Sequence, residues 1–187
     1  MAARTTLANI IRRTRLLIDD PGNAVPAPLF SDEEVQEALD ENRLDVVYLG
    51  LQEVETILPG GQIQYLEYYA KYGDWEDDLR FQNNRWDIVV PDVVDNTVGK
   101  WSFTVQPLYP LYVTGKRFDR FVAAADLLDK WVAKLKLDFT FSSQGQSFSR
   151  KEKIENLKDL ATDYRKRQTI MKKARMTRPD INNNRWG

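Results

Sequence analysis

Two helical stripes joined by a short polar turn limit what this chain can fold into more than any other feature. In the first, Phe118, Phe121, Val122, Ala125, Leu128, Val132 and Leu135 fall on one face, which predicts a helix over about residues 117–137. Ala123, Ala124 and Ala125 let a second helix approach closely. In the second, Ile154, Leu157, Leu160, Ala161 and Tyr164 carry a helix over about residues 149–174, with Ser149 as cap and Glu152 at the capping-box position. Residues 142–147, all Ser, Gln or Gly, make the turn. Trp131 lies off the centre of its stripe and is a candidate contact with another element or subunit.

Two further helices are expected upstream. Leu7, Ile10, Ile11, Leu17 and Ile18 recur at helical spacing over about residues 5–18, while Arg12, Arg13 and Arg15 are expected largely on other faces. Pro21 and Gly22 end that helix. Ser31 then caps a helix over about residues 31–43, with Glu34 closing a capping box and Phe30 stapled to Val35. Val35, Ala38 and Leu39 face inward, and Asp32, Glu33, Glu37, Asp40 and Glu41 cover the remainder. Acids in a first turn are what the helix dipole favours, so no metal or acid–base site is read from them.

From residue 44 to 114 the period changes to two. Val47, Leu49 and Leu51 alternate, as do Trp101, Phe103 and Val105, and then Tyr109, Leu111 and Val113, where Pro110 marks an edge or bulged strand. Tyr65, Tyr68, Tyr69, Tyr72 and Trp75 read as filling for a thin sheet core. A base-stacking platform would be basic, whereas Asp74, Glu76, Asp77 and Asp78 make this neighbourhood acidic. The expected class is α+β: a bundle of about four helices with an inserted small antiparallel β-sheet over residues 44–114. These form a single domain over residues 1–174, followed by an extended C-terminal arm over residues 175–187.

Composition narrows the chemistry. There is no cysteine, hence no disulfide or thiolate metal site, which fits assembly in a reducing cytoplasm. Nor is there histidine, which removes the commonest general base and metal ligand. No phosphate cradle of the GxxxxGK[ST] or GxGxxG kind occurs. Neither an enzyme nor a cofactor is implied. No apolar run approaches the roughly 20 residues that span a bilayer, and no signal-peptide pattern is read.

Charge is strongly segregated. Residues 19–95 hold 19 acidic and 4 basic side chains, a net of −15, whereas residues 150–187 hold 12 basic and 5 acidic, a net of +7. Such asymmetry suits complementary faces meeting other copies, or a basic end meeting nucleic acid. Arg165, Lys166 and Lys172 are therefore candidate subunit-interface residues together with Trp131. The last stretch has too little apolar surface to fold alone: it reads either as a disordered tail, the default for termini, or as an arm that orders on a partner with Trp186 as anchor.

Several motifs, in order, resemble the head–tail connector proteins of long-tailed bacteriophages, also called adaptor or head-completion proteins. They are Ile18-Asp19-Asp20-Pro21, Phe30-Ser31-Asp32-Glu33-Glu34-Val35 and Ala38-Leu39, then Gly115-Lys116-Arg117-Phe118-Asp119 and Ala123-Ala124-Ala125-Asp126-Leu127-Leu128. Phe139-Thr140-Phe141-Ser142, Gln144-Gly145-Gln146-Ser147-Phe148-Ser149-Arg150 and Leu160-Ala161-Thr162-Asp163-Tyr164-Arg165 complete the set. The match covers roughly residues 5–43 and 115–168. It implies a virion protein of the neck, assembled in the bacterial host cytoplasm as a homo-oligomeric ring, commonly a dodecamer. Such a ring sits beneath the portal protein, continues the channel that double-stranded DNA traverses without specific binding, and receives a stopper, tail terminator or other neck component.

On that resemblance Ile181, Asn182, Asn183, Asn184, Arg185 and Trp186 form a portal-binding arm, and Glu33, Glu37 and Glu41 are candidate lumen-lining residues that keep DNA from sticking. The strand-rich middle departs from the smallest adaptors, which are almost wholly helical. The rival reading is a basic nucleic-acid-binding module, such as a DNA-packaging factor, using residues 165–178.

Overall fold

The structure is a computed structural model that describes residues 2–20, 28–57, 61–137 and 147–168. The turn expected at 142–147, but for Ser147, and the arm at 175–187 lie outside these residues.

Local signals set the first helices. A 3-10 turn, Thr5–Leu7, leads into α1, Ala8–Leu17. Ser31 Oγ accepts from the Glu34 N–H at 3.2 Å, and the Glu34 carboxylate accepts from the Ser31 N–H at 2.8 Å, so the capping box opens α2, Asp32–Glu41. Phe30 and Val35 are both buried in one core, as the staple requires. Arg15 corrects the expected orientation of α1: only 4% exposed, it sits on the apolar face four residues after Ile11. Its guanidinium donates to Asp20 at 2.8 Å, Asp32 at 2.7 Å and the Phe30 carbonyl at 2.7 Å, which offsets the cost of burying a cation.

The middle region forms two small antiparallel sheets where one was expected. The strands are β1 (Arg43–Gly50), β2 (Gln52–Ile57), β3 (Ile63–Tyr69), β4 (Arg80–Gln82), β5 (Ile88–Val89), β6 (Val93–Asp95), β7 (Lys100–Ser102) and β8 (Tyr112–Phe118). One sheet has the order β1-β8-β4-β5 and the other β2-β3-β7-β6. Between them lies a core built from Val46, Leu51, Tyr68, Trp75, Phe81, Trp101, Phe103, Leu111 and Val113. Edge-to-face contacts fill it, with Phe81 and Trp101 5.1 Å apart and Tyr68 and Phe103 5.5 Å apart. Tyr68 is thus a core residue, as its strand context predicts, whereas residues 73–78 and 82–84, which read from sequence as exposed turns, bury Trp75, Glu76, Gln82 and Asn83. Burial pushes the Tyr68 phenol up to about 12.

Three strand expectations are overturned. β8 is an interior strand, because Pro110 precedes Tyr112 and removes no ladder hydrogen bond. In β1 the register with β8 shifts between Val46 and Leu49, and Tyr48 takes φ 52°, so Val46 is buried and Val47 exposed. Val105 lies beyond the end of β7 and is exposed.

Helix α3 spans Arg120–Leu137 and α4 spans Ser147–Lys166. The expected start at residue 117 fails because β8 continues through Phe118 and Asp119 caps α3, its Oδ1 accepting from the N–H groups of Phe121 and Val122. Phe118 is a strand residue that nonetheless points into the helical core. Helix α4 starts two residues before Ser149 and tightens at its end, where Arg167 N–H bonds the Tyr164 carbonyl at 3.0 Å. It therefore stops short of residue 174.

The helices share a second core of Leu7, Ile10, Ile11, Phe30, Val35, Leu39, Phe118, Leu127, Leu128, Val132, Leu157 and Tyr164, among others. Ala123, Ala124 and Ala125 are fully buried in it, as close helix approach demands. Among the described residues no helix is long and apolar enough to cross a membrane.

Candidate interaction surfaces

The two cores meet at a charged junction carried by the loop between β3 and β4. Glu76, 1% exposed, accepts from Thr6 Oγ1 at 2.6 Å, and its carboxylate lies 3.2 Å from Arg4 Nε and 3.5 Å from Lys116 Nζ. Asp74 reaches Arg13 at 2.7 Å and Arg120 at 3.1 Å, tying α1 and α3 to the same loop. Burial holds the Asp74 carboxyl above its usual range despite both arginines, and burial lowers the Arg117 guanidinium. Arg117 Nε donates to the Gly73 carbonyl at 2.9 Å, with its guanidinium 4.5 Å from the Tyr72 ring centre. These ion pairs cross elements and join the two halves, while Arg117 Nη1 and Glu76 Oε2 are buried without a hydrogen-bond partner among the described residues. Among the described residues no cluster of three or more acidic side chains is arranged to hold a metal ion.

The residues singled out from the sequence occupy three kinds of place. Glu33, Glu37 and Glu41 are exposed along one face of α2 at four-residue spacing, beside an open carboxylate-lined depression of about 680 Å³. Among the described residues Glu33 and Glu41 make no ion pair, and the closest cation to Glu37 is Lys130 at 3.9 Å. Trp131 is half-buried against the helical core with Lys153 Nζ 4.7 Å from its ring centre, so within one chain it joins α3 to α4. Arg165 lies 3.0 Å from Asp126 and 2.5 Å from Asp129, and also joins α4 to α3. Lys166 pairs with Asp163 one turn away at 2.9 Å and remains exposed. Lys172 and the arm residues Ile181, Asn182, Asn183, Asn184, Arg185 and Trp186 lie outside the described residues.

Sequence reasoning missed an aromatic surface on the outer side of the first sheet. Trp86 stacks on Tyr112 at 6.0 Å with 12° between the rings, and Tyr48 meets Trp86 edge-on at 5.0 Å. The Asn84 side chain donates to the Tyr109 carbonyl at 2.9 Å and brings exposed Leu108 and Tyr109 alongside. The available signal was the polar run Asn83-Asn84-Arg85 before Trp86, a turn that ends on a bulky ring.

Comparison with protein-family models, with curated proteins and with solved structures finds no match.

Proposed function

We propose that this chain is a structural subunit of a bacteriophage head–tail connector, a ring that binds beneath the portal and joins the capsid to the neck or tail. One observation carries the reading. The stretches that resemble connectors, residues 5–43 and 115–168, are separated by about seventy residues, yet among the described residues every buried side chain of the helical core comes from one or the other. The intervening residues 44–114 build their own aromatic core. The resemblance thus coincides with the helical core, which supports reading the chain as a four-helix bundle interrupted by a β insertion that can meet additional neck components.

In this reading the acidic body and basic C-terminal end provide unlike surfaces for a heterologous contact between copies. The arm at residues 181–187 docks on the portal, with Trp186 as anchor. The rival, a nucleic-acid-binding module, is weakened by Arg165, whose charge is shared with Asp126 and Asp129. The test is sedimentation of the chain with portal rings and, separately, with double-stranded DNA. Saturable binding to the portal supports the connector; salt-sensitive DNA binding without portal binding overturns it.

A further inference from the structure

Tyr48 and Trp86 both have a left-handed backbone, with φ of 52° and 68°. Such values are outliers for bulky residues and persist where the surrounding structure holds them. Each occupies a position where glycine or asparagine would relieve the strain. Tyr48 sits at the irregularity in β1. Trp86 ends the β4–β5 turn, its N–H bonded to the Asn83 carbonyl at 3.0 Å. Burial does not repay either, since Trp86 is 52% and Tyr48 37% exposed. The two strained residues touch each other, and Tyr112, on an interior strand, backs them.

Two exposed arginines flank the rings. Arg80 shares a face of β4 with Gln82, which pairs with Tyr112, and Arg85 precedes Trp86. Neither makes an ion pair among the described residues. Trp, Tyr and Arg are the side chains most enriched where protein interfaces concentrate their energy. A single-stranded nucleic acid would also stack on such rings, but its backbone needs a continuous basic groove, and residues 72–99 hold 2 basic side chains in all.

We infer that the Tyr48–Trp86–Tyr112 surface is a contact between copies of this chain, and that it docks on the acidic face of α2 in the next copy. The occupant follows from charge and shape. Glu33, Glu37 and Glu41 line an exposed depression; among the described residues Glu33 and Glu41 make no ion pair and Glu37 meets Lys130 at 3.9 Å, which leaves this face opposite in sign to Arg80 and Arg85. A two-fold contact of the patch with itself would set these arginines against their own copies, so the contact is heterologous. Tyr112 and Phe118 lie at opposite ends of β8, roughly 20 Å apart at about 3.3 Å per residue, with the helical core at the Phe118 end. One copy therefore cannot bring its own patch to its own α2. This deepens the connector reading, resting on its self-assembly but not on the portal, and moves the α2 carboxylates from the channel wall to the subunit contact.

The test is sedimentation of the full chain over a range of concentrations, with circular dichroism to verify folding. Trp86→Ala should weaken self-association tenfold or more, and Arg80→Glu/Arg85→Glu should do likewise. Glu33→Arg/Glu37→Arg should also weaken it, and mixing the two charge-reversed variants should restore it. If the wild type self-associates and all these variants do so equally, the patch assignment is overturned while the connector reading stands. A chain that stays monomeric alone and with portal rings overturns both. Binding of single-stranded DNA that Trp86→Ala abolishes, without self-association, replaces the inference with a nucleic-acid platform.

Discussion

Thr6 donates its hydroxyl to the buried carboxylate of Glu76 at 2.6 Å, and this contact joins the helical half of the molecule to the β half. The same carboxylate faces Arg4 and Lys116. Removing it leaves cations with reduced compensation at a buried seam, where breaking one partner of a buried pair costs about 3–5 kcal/mol. Arg4 and Lys116 are about one-third exposed, so Glu76→Ala is expected near the lower end, about 3 kcal/mol. Urea denaturation measures this, and a loss under about 1 kcal/mol would mean that the seam holds by apolar contact alone.

Ser31→Ala should cost about 1 kcal/mol through loss of the cap on α2. Its partner gives the contribution a pH dependence. The Ser31 N–H holds the Glu34 carboxyl below its ordinary range. A depressed folded pKa stabilises above the unfolded value of about 4.3 and is lost as pH falls through the folded value. The stability gap between the wild type and Glu34→Ala should therefore be full at neutral pH and shrink on acidification. A gap that widens below pH 4 would contradict the assignment.

What could be read from the sequence was what is local. Ser31 and Glu34 are three residues apart, and the stripe from Phe121 to Val132 needs only helical periodicity, so α2 and α3 were legible. The register of β1 was not, because the irregularity before Leu49 depends on pairing with β8 more than sixty residues away. Pro110 suggested an edge, yet only the path of the chain shows that the interior strand starts after it. Arg15 reads as an outward charge, and the groups that let it turn inward lie beyond α1: Asp20 just past its end, and Asp32 and the Phe30 carbonyl at the entry to α2. The aromatic surface escaped for a related reason, since Tyr48, Trp86 and Tyr112 come from three strands or turns.

Arg165 and its two aspartates predict a small effect. The pairs are exposed, so a double-mutant cycle on Arg165→Ala and Asp129→Ala should give a coupling of about 0.2–1 kcal/mol, falling with added salt. A coupling above about 2 kcal/mol would show that the hairpin depends on this pair rather than on its apolar seam.

Deleting residues 181–187 should abolish attachment to portal rings and leave the thermal midpoint of the isolated chain unchanged, because the described residues already supply two packed cores. Co-sedimentation of the truncated chain with portal rings, at the level of the full chain, would remove the arm from the account.

Electron microscopy of the full chain mixed with its portal tests the central claim most directly. The account predicts a second ring of this chain, coaxial with the portal and attached at one end. Portal rings with bare ends, at concentrations where the chain is in excess, would contradict it.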